Sequence, residues 1–219
     1  TLRLSTRNEL VKLHQRIGTT MIYVTHDQVE AMTMGERICI MNNGRLAQIG
    51  TPLEVYREPA DTFVAKFLGN PPMNLIRTTL RVESDAFFAD IGPTAIPVQG
   101  IAPAVAARYA GREVVLGIRP EDIYETDRDA DIRKLAPLRA TVVTVEALGA
   151  ETLLNLDVSA LENVFRARVG REANVRHGDL IEVYLDLDAL YLFDPETTQS
   201  LAMSRPRTGS TPMVGAGST

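Results

Sequence analysis

Apolar positions change their rhythm near residue 70. Before it, helical periods alternate with short unbroken apolar runs. Leu10, Leu13 and Ile17 lie at i, i+3 and i+7, one face of a helix that Gly18 ends. Thr20-Met-Ile-Tyr-Val-Thr25 is a continuous run of strand formers, the pattern of a strand buried on both faces of a parallel sheet. The next helix is expected over Gln28 to Met34. Asp27 is placed to cap it, Glu30 stands in capping-box spacing, and Gly35 stops it. Arg37 to Met41 reads as a second apolar strand, Asn43-Gly44 as a tight turn and Leu46 to Ile49 as the returning strand. Thr51-Pro-Leu-Glu54 combines an N-cap, a first-turn proline and a capping glutamate, so a short helix should run through Tyr56. A further helix is expected from Ala60 to Leu68, with Phe63, Val64 and Phe67 on one face and Gly69 as its stop.

Asn70-Pro-Pro72 breaks this pattern, and a domain boundary is placed there. Beyond it the apolar positions alternate in short stretches. Strands are predicted at Thr78 to Val82, Phe87 to Ile91, Val114 to Ile118, Leu138 to Glu146, Thr152 to Val158, Asn163 to Val169, Leu180 to Leu185 and Tyr191 to Phe193. A short helix is expected over Ala104 to Tyr109. Many short strands separated by turn residues predict a small barrel or sandwich. Residues 204–219 are rich in Gly, Ser, Thr and Pro, which predicts a disordered tail. The expected organisation is therefore residues 1–70, residues 71–203 and a tail.

Composition narrows the function classes. The net charge is -5, aromatic residues make up 5% and Trp is absent. A nucleic-acid binder needs basic grooves and stacking aromatics, so that class is disfavoured. No apolar run approaches the roughly 18 residues that span a bilayer. The single cysteine, Cys39, cannot form an internal disulfide, and it is expected to be a small buried hydrophobe in its strand. The chain opens on helix-forming residues without an initiator Met, which predicts a start inside a domain and hence a fragment.

His26 is the foremost candidate for chemistry. It follows a predicted buried strand and precedes a predicted helix, the place where open α/β sheets bind ligands. A histidine there, beside a helix N-terminus, can reach a phosphate oxygen or orient a water. Position alone favours a polar residue at a strand end that only bonds backbone.

The string Met21-Ile-Tyr-Val-Thr-His-Asp-Gln-Val-Glu-Ala-Met32 closely resembles the switch-histidine segment of ABC transporter ATPases. The subfamily it most resembles energises import of maltose, glycerol-3-phosphate and related solutes. The likeness continues through Gly44-Arg45, Gln48-Ile-Gly-Thr-Pro52, Glu54-Val-Tyr56, Pro59-Ala60, Phe63-Val-Ala65, Phe67-Leu-Gly69 and Pro72-Met-Asn74. Leu116-Gly-Ile-Arg-Pro-Glu121, Glu146-Ala-Leu-Gly-Ala-Glu151 and Leu192-Phe-Asp-Pro195 resemble its C-terminal regulatory domain.

That resemblance implies an α/β nucleotide-binding domain remnant of the P-loop NTPase type, followed by a mostly-β, oligonucleotide-binding-like (OB-like) barrel regulatory domain. It implies a catalytic and nucleotide-contacting role for His26 at the γ-phosphate and attacking water. It also implies ATP and Mg2+ as cofactors, and a homodimer or a paralogous ATPase subunit as partner. Membrane-spanning permease subunits are implied as further partners, with an extracytoplasmic solute-binding protein reached indirectly. The implied location is the cytoplasmic face of the cell membrane.

No G-x-x-x-x-G-K-[ST] occurs in the chain, and the family's signature, Walker B carboxylates and catalytic glutamate have no counterpart. The fragment alone is therefore expected to be inactive, with most ATP and Mg2+ ligands elsewhere. The alternative reading is a noncatalytic regulatory, dimerising or small-oxyanion-binding module.

The remaining polar residues are expected to be structural. His14 is read as solvated and His177 as a turn residue, and no metal site is expected. Arg119 is expected to pair with Glu121 or Asp122 rather than to contact another domain. Asp186, Asp188 and Asp194 are read as turn and edge residues.

Overall fold

The computed structural model describes residues 2–84, 86–126, 134–159, 161, 163–171 and 173–201. The tail expected over 204–219 lies outside them.

Helix α1 (Leu2–Ile17) ends at Gly18, whose φ of 69° is a left-handed conformation open to glycine. Helix α2 (Gln28–Met34) is capped by Asp27, whose carboxylate accepts from the backbone N–H of Val29 and Glu30, whereas the expected capping box does not form because the Glu30 carboxylate takes the Thr25 and Tyr23 hydroxyls instead. Strands β1 (Ile38–Asn42) and β2 (Arg45–Gly50) form an antiparallel pair around Asn43-Gly44, where φ is positive at both residues. Helix α3 (Pro52–Arg57) starts on the full Thr51/Glu54 capping box. Helix α4 (Thr62–Phe67) starts on Asp61, which accepts from Val64 N–H.

Three expectations here are corrected. Residues 20–25 form no strand. A strand buried on both faces needs ladder neighbours and covering layers, and among the described residues nothing pairs with this run. Ile22 is 91% and Val24 90% exposed. Cys39 is exposed rather than buried, because β1 alternates: Ile38 and Ile40 turn inward, Cys39 and Met41 outward. The inward face of α4 also differs from that expected. Val64, Ala65 and Leu68 are buried, and Phe67 is partly exposed, stacked on Phe63.

The rest is β-rich. Strands β3 (Asn74–Glu83), β4 (Ala86–Ile91), β5 (Thr94–Val98), β6 (Glu113–Ile118) and β12 (Tyr191–Phe193) form one antiparallel sheet in the order β12-β6-β3-β4-β5. Strands β7 (Ile123–Tyr124), β8 (Leu135–Ala147), β9 (Glu151–Asp157), β10 (Phe165–Gly170) and β11 (Leu180–Asp186) form a second, ordered β10-β9-β8-β11-β7. Its end strands β7 and β10 approach each other, nearly closing a barrel. Helix α5 (Pro103–Tyr109) packs Val105 and Tyr109 against the core.

Strand alternation builds that core. Ala136, Leu138, Ala140 and Val142 of β8 face inward with Leu154 and Leu156 of β9, Phe165, Ala167 and Val169 of β10, and Val183 and Leu185 of β11. A bulge at Val142/Thr144 interrupts the β8–β9 register. The carbonyl it leaves at Val143 accepts from His177 Nδ1 at 2.8 Å, so His177 is structural, as expected.

Strand β6 is buried on both faces. Val114, Leu116 and Ile118 enter the barrel core, whereas Val115 faces a second cluster with Ala65, Met73, Tyr191 and Phe193. This second cluster packs α4 onto the barrel wall. The segment 194–200 adds backbone ties: Ser200 N–H donates to Ala60 O, and Thr62 N–H to Thr198 O.

Asp194 organises that segment. Its carboxylate accepts from Tyr109 Oη and from the N–H groups of Glu196 and Thr197, at 2.9 and 2.7 Å for the latter two. The Tyr109 hydrogen bond, then those backbone donors, hold the Asp194 carboxyl well below the usual carboxylate range. A depressed folded-state pKa stabilises the fold above the ordinary value near 4, and that stabilisation is lost as pH falls through the lowered value. Asp194→Ala should therefore lower Tm at pH 7, with the gap to wild type narrowing below about pH 4. Melts followed by circular dichroism at pH 7 and pH 3 check this; a gap independent of pH would refute it.

Candidate functional site

His26 lies between the irregular run 20–25 and α2. Its side chain is exposed, and among the described residues no hydrogen bond or ion pair engages the imidazole. Its backbone is well fixed. Asp27 N–H donates to Thr25 Oγ1 at 3.0 Å, and Thr25 Oγ1 donates to Glu30 Oε2 at 2.6 Å. Tyr23 Oη donates to the same Glu30 oxygen at 3.2 Å. Asp27 Oδ1 accepts from Val29 N–H at 2.8 Å and from Glu30 N–H at 3.2 Å. The imidazole is thus uncommitted on a loop shaped by Tyr23, Thr25, Asp27 and Glu30.

A neutral or protonated imidazole so placed can donate to a phosphate oxygen and hold a water beside it. That fits contact with a nucleotide phosphate. Among the described residues no group of three or more His, Cys, Asp or Glu is arranged to hold a metal ion.

Gln28, in the first turn of α2, was not singled out by sequence. Its Nε2 donates to Phe67 O, and its Oε1 accepts from Gly69 N–H at 3.0 Å. One amide thus grips the chain just beyond α4 at both a donor and an acceptor.

Arg119 corrects an expectation. It bonds neither Glu121 nor Asp122. It is 2% exposed and reaches across to the first seventy residues, donating from Nη1 to Leu68 O at 2.7 Å and from Nη2 to Tyr56 O at 2.5 Å. Its guanidinium lies 3.7 Å from the centroid of the Tyr56 ring. Glu121 instead accepts from Tyr56 Oη. Burial and then the Glu121 hydrogen bond push the Tyr56 hydroxyl well above its ordinary pKa, against the opposing field of Arg119. Arg119 Nε has no hydrogen-bond partner. Its carbonyl acceptors lie 51 and 63 positions earlier in the chain, a separation that no local pattern encodes.

The other polar candidates stay apart from His26. His14 is not fully solvated: its side chain is 29% exposed and stands 4.0 Å from Glu36. Asp186 caps the turn at Asp188, and Asp194 shapes the 194–200 segment.

Residues 69–123 match the MalK OB fold domain and residues 116–193 the TOBE domain, so the β-rich part is an OB-like domain of transporter ATPases. The chain is 42% identical over 202 residues to the trehalose/maltose import ATP-binding protein MalK of Thermococcus litoralis, covering 91% of this chain and 53% of that protein. It is 40% identical over 196 residues to the sn-glycerol-3-phosphate import ATP-binding protein UgpC 2 of Agrobacterium fabrum, covering 90% and 49%. With the oligosaccharides import ATP-binding protein MsmX of Bacillus subtilis it shares 38% over 198 residues, covering 90% and 53%. The chain belongs to the family of ATP-binding subunits of sugar-type ABC importers, and spans about half the length of these relatives. A solved structure of the cytoplasmic molybdate-binding protein ModG has a TM-score of 0.44 and 17% identity over 56% of this chain, too slight a likeness to bear on function.

Proposed function

We propose that this chain serves in ATP-driven import of carbohydrates or glycerol-3-phosphate-like solutes, with residues 1–70 contributing to the nucleotide-binding domain and residues 71–203 forming the regulatory barrel. The observation that carries this reading is His26: an exposed, unengaged imidazole on a loop fixed by Thr25, Asp27 and Glu30. ATP supplies the phosphoryl group and Mg2+ offsets its charge. His26 donates to a γ-phosphate oxygen and orients the attacking water, a geometric and electrostatic role suited to phosphoryl transfer. The exposed Ile22 and Val24 support the same reading, because they are strand-forming side chains without sheet neighbours.

The proposed partners are a second copy or a paralogous ATPase subunit, permease subunits in the membrane and, through them, a solute-binding protein. The proposed position is peripheral, at the cytoplasmic face of the membrane. Among the described residues no helix is long and apolar enough to cross a bilayer.

The test joins this chain to the remaining half of the Thermococcus litoralis relative. The 219-residue chain by itself should not turn over ATP, since it contains no G-x-x-x-x-G-K-[ST] sequence. The chimera should hydrolyse ATP, and His26→Ala should reduce its kcat by roughly a hundredfold or more. A His26→Ala chimera that hydrolyses ATP at the parent rate would remove His26 from the reaction.

A further inference from the structure

Two grips meet on three consecutive residues. From one side, the Gln28 amide holds Phe67 O and Gly69 N–H. From the other, Arg119 of the barrel holds the carbonyl between them, that of Leu68, at 2.7 Å. Gln28 stands two positions after His26, in the first turn of the helix that the histidine precedes. We infer that Gln28 and Arg119 are positioning residues for His26, linked through the backbone of residues 67–69 so that the barrel sets where the histidine loop stands. This inference rests on the reading of His26 as the phosphate-facing residue.

Several observations make the link stiff. Leu68 is buried, with Val55 and Val64 in the cluster against which Ala31 and Met32 of α2 also pack. A shift of the 67–69 backbone therefore moves α2 through both its hydrogen bonds and its packing. Arg119 is also tied to its place. Its planar fork spans two carbonyls, one in α3 and one at the end of α4, and its face lies on Tyr56. Gly69 has a φ of 132°, and a Cβ there would meet Arg119 Nη1 at 3.0 Å, so glycine permits the close approach. Lysine at 119 keeps the charge but lacks the fork.

Gln28 and Arg119 bond neighbouring backbone groups and not each other, so coupling between them reports on the backbone of residues 67–69. The test is amide hydrogen exchange of the 219-residue chain, read in peptides covering residues 24–34. Gln28→Ala should raise exchange there roughly tenfold, the scale set by losing the Gln28 side-chain bonds. Arg119→Ala should do the same at a distance, and Arg119→Lys should give a smaller rise.

The double variant Gln28→Ala/Arg119→Ala should exceed either single by far less than the roughly hundredfold rise expected of independent sites. Exchange in β8 to β11 should stay at the wild-type level, which excludes general unfolding. If Arg119→Ala loses the fold, the Gln28→Ala/Arg119→Lys pair gives the same cycle.

Increased exchange confined to residues 52–70 would overturn the inference, as would multiplying effects. No nucleotide enters this experiment, so its failure is separate from that of the role assigned to His26. The kcat of the chimera judges that role independently.

Discussion

Replacing Phe193 by alanine is expected to lower the free energy of unfolding by about 3–5 kcal/mol, the range for removing a buried phenyl ring. Phe193 is fully buried and packs in the cluster of Ala65, Met73, Val115 and Tyr191, with its ring 6.3 Å from that of Tyr191. The ring fills the seam between α4 and the outer face of β6, where the facing residue, Gly117, has no side chain. A Cβ at Gly117 would meet Phe193 Cε2 at 3.0 Å and Met73 Sδ at 2.8 Å. Neighbours fixed by two elements cannot close fully on the cavity, so the cost should fall in the upper part of that range. Urea titration gives the magnitude. Limited proteolysis locates it, with new cleavage between residues 57 and 70 before the barrel is cut. A variant within 1 kcal/mol of wild type would mean that the seam collapses onto the space at little cost.

Gly92→Ala should cost about 2–5 kcal/mol. Gly92 opens the two-residue turn between β4 and β5 with a φ of 57°, a left-handed conformation that costs a side-chain-bearing residue roughly 1–2 kcal/mol. The added methyl would also run into the carbonyl oxygen of Ser159, a backbone atom with no rotamer to change. Displacing it adds roughly 1–3 kcal/mol. Gly111→Ala separates these contributions, because Gly111 has a φ of 73° and open space where its Cβ would stand. Equal losses in the two variants would show that the Ser159 backbone yields without cost.

What was legible in the sequence was local. The Asn43-Gly44 turn, the Thr51/Glu54 capping box and the Asp27 cap each lie within a few residues of the groups they satisfy, so residue type and spacing specify them. The longer strands were legible from alternation, because a strand with one face in a core alternates whichever strand it pairs with.

The failures were questions about what covers a face. The run 20–25 has the composition of a doubly buried strand, but its burial depends on layers outside its own sequence. Cys39 was misread for the same reason: its side of β1 is bare. Strand β5 escaped because Pro97 interrupts its apolar pattern, and β7 because two residues carry no period. His26 was found because its whole segment resembles a known family. The roles of Gln28 and Arg119 were not, since a side chain bonding distant backbone leaves no trace in residue spacing.

The backbone ties from the 194–200 segment to Ala60 and Thr62 have a consequence for biosynthesis. A chain emerging from the ribosome exposes α3 and α4 long before β12 and the segment after it. At about 5–20 residues per second, that interval is on the order of ten seconds. Throughout it, Ala65, Met73 and Val115 lack the Tyr191 and Phe193 rings that cover them in the finished fold. Helix α4 thus docks last, although it is translated long before β12. Chaperone demand should therefore fall on this early, waiting surface rather than on the barrel strands, which pair largely with neighbours made within the same interval.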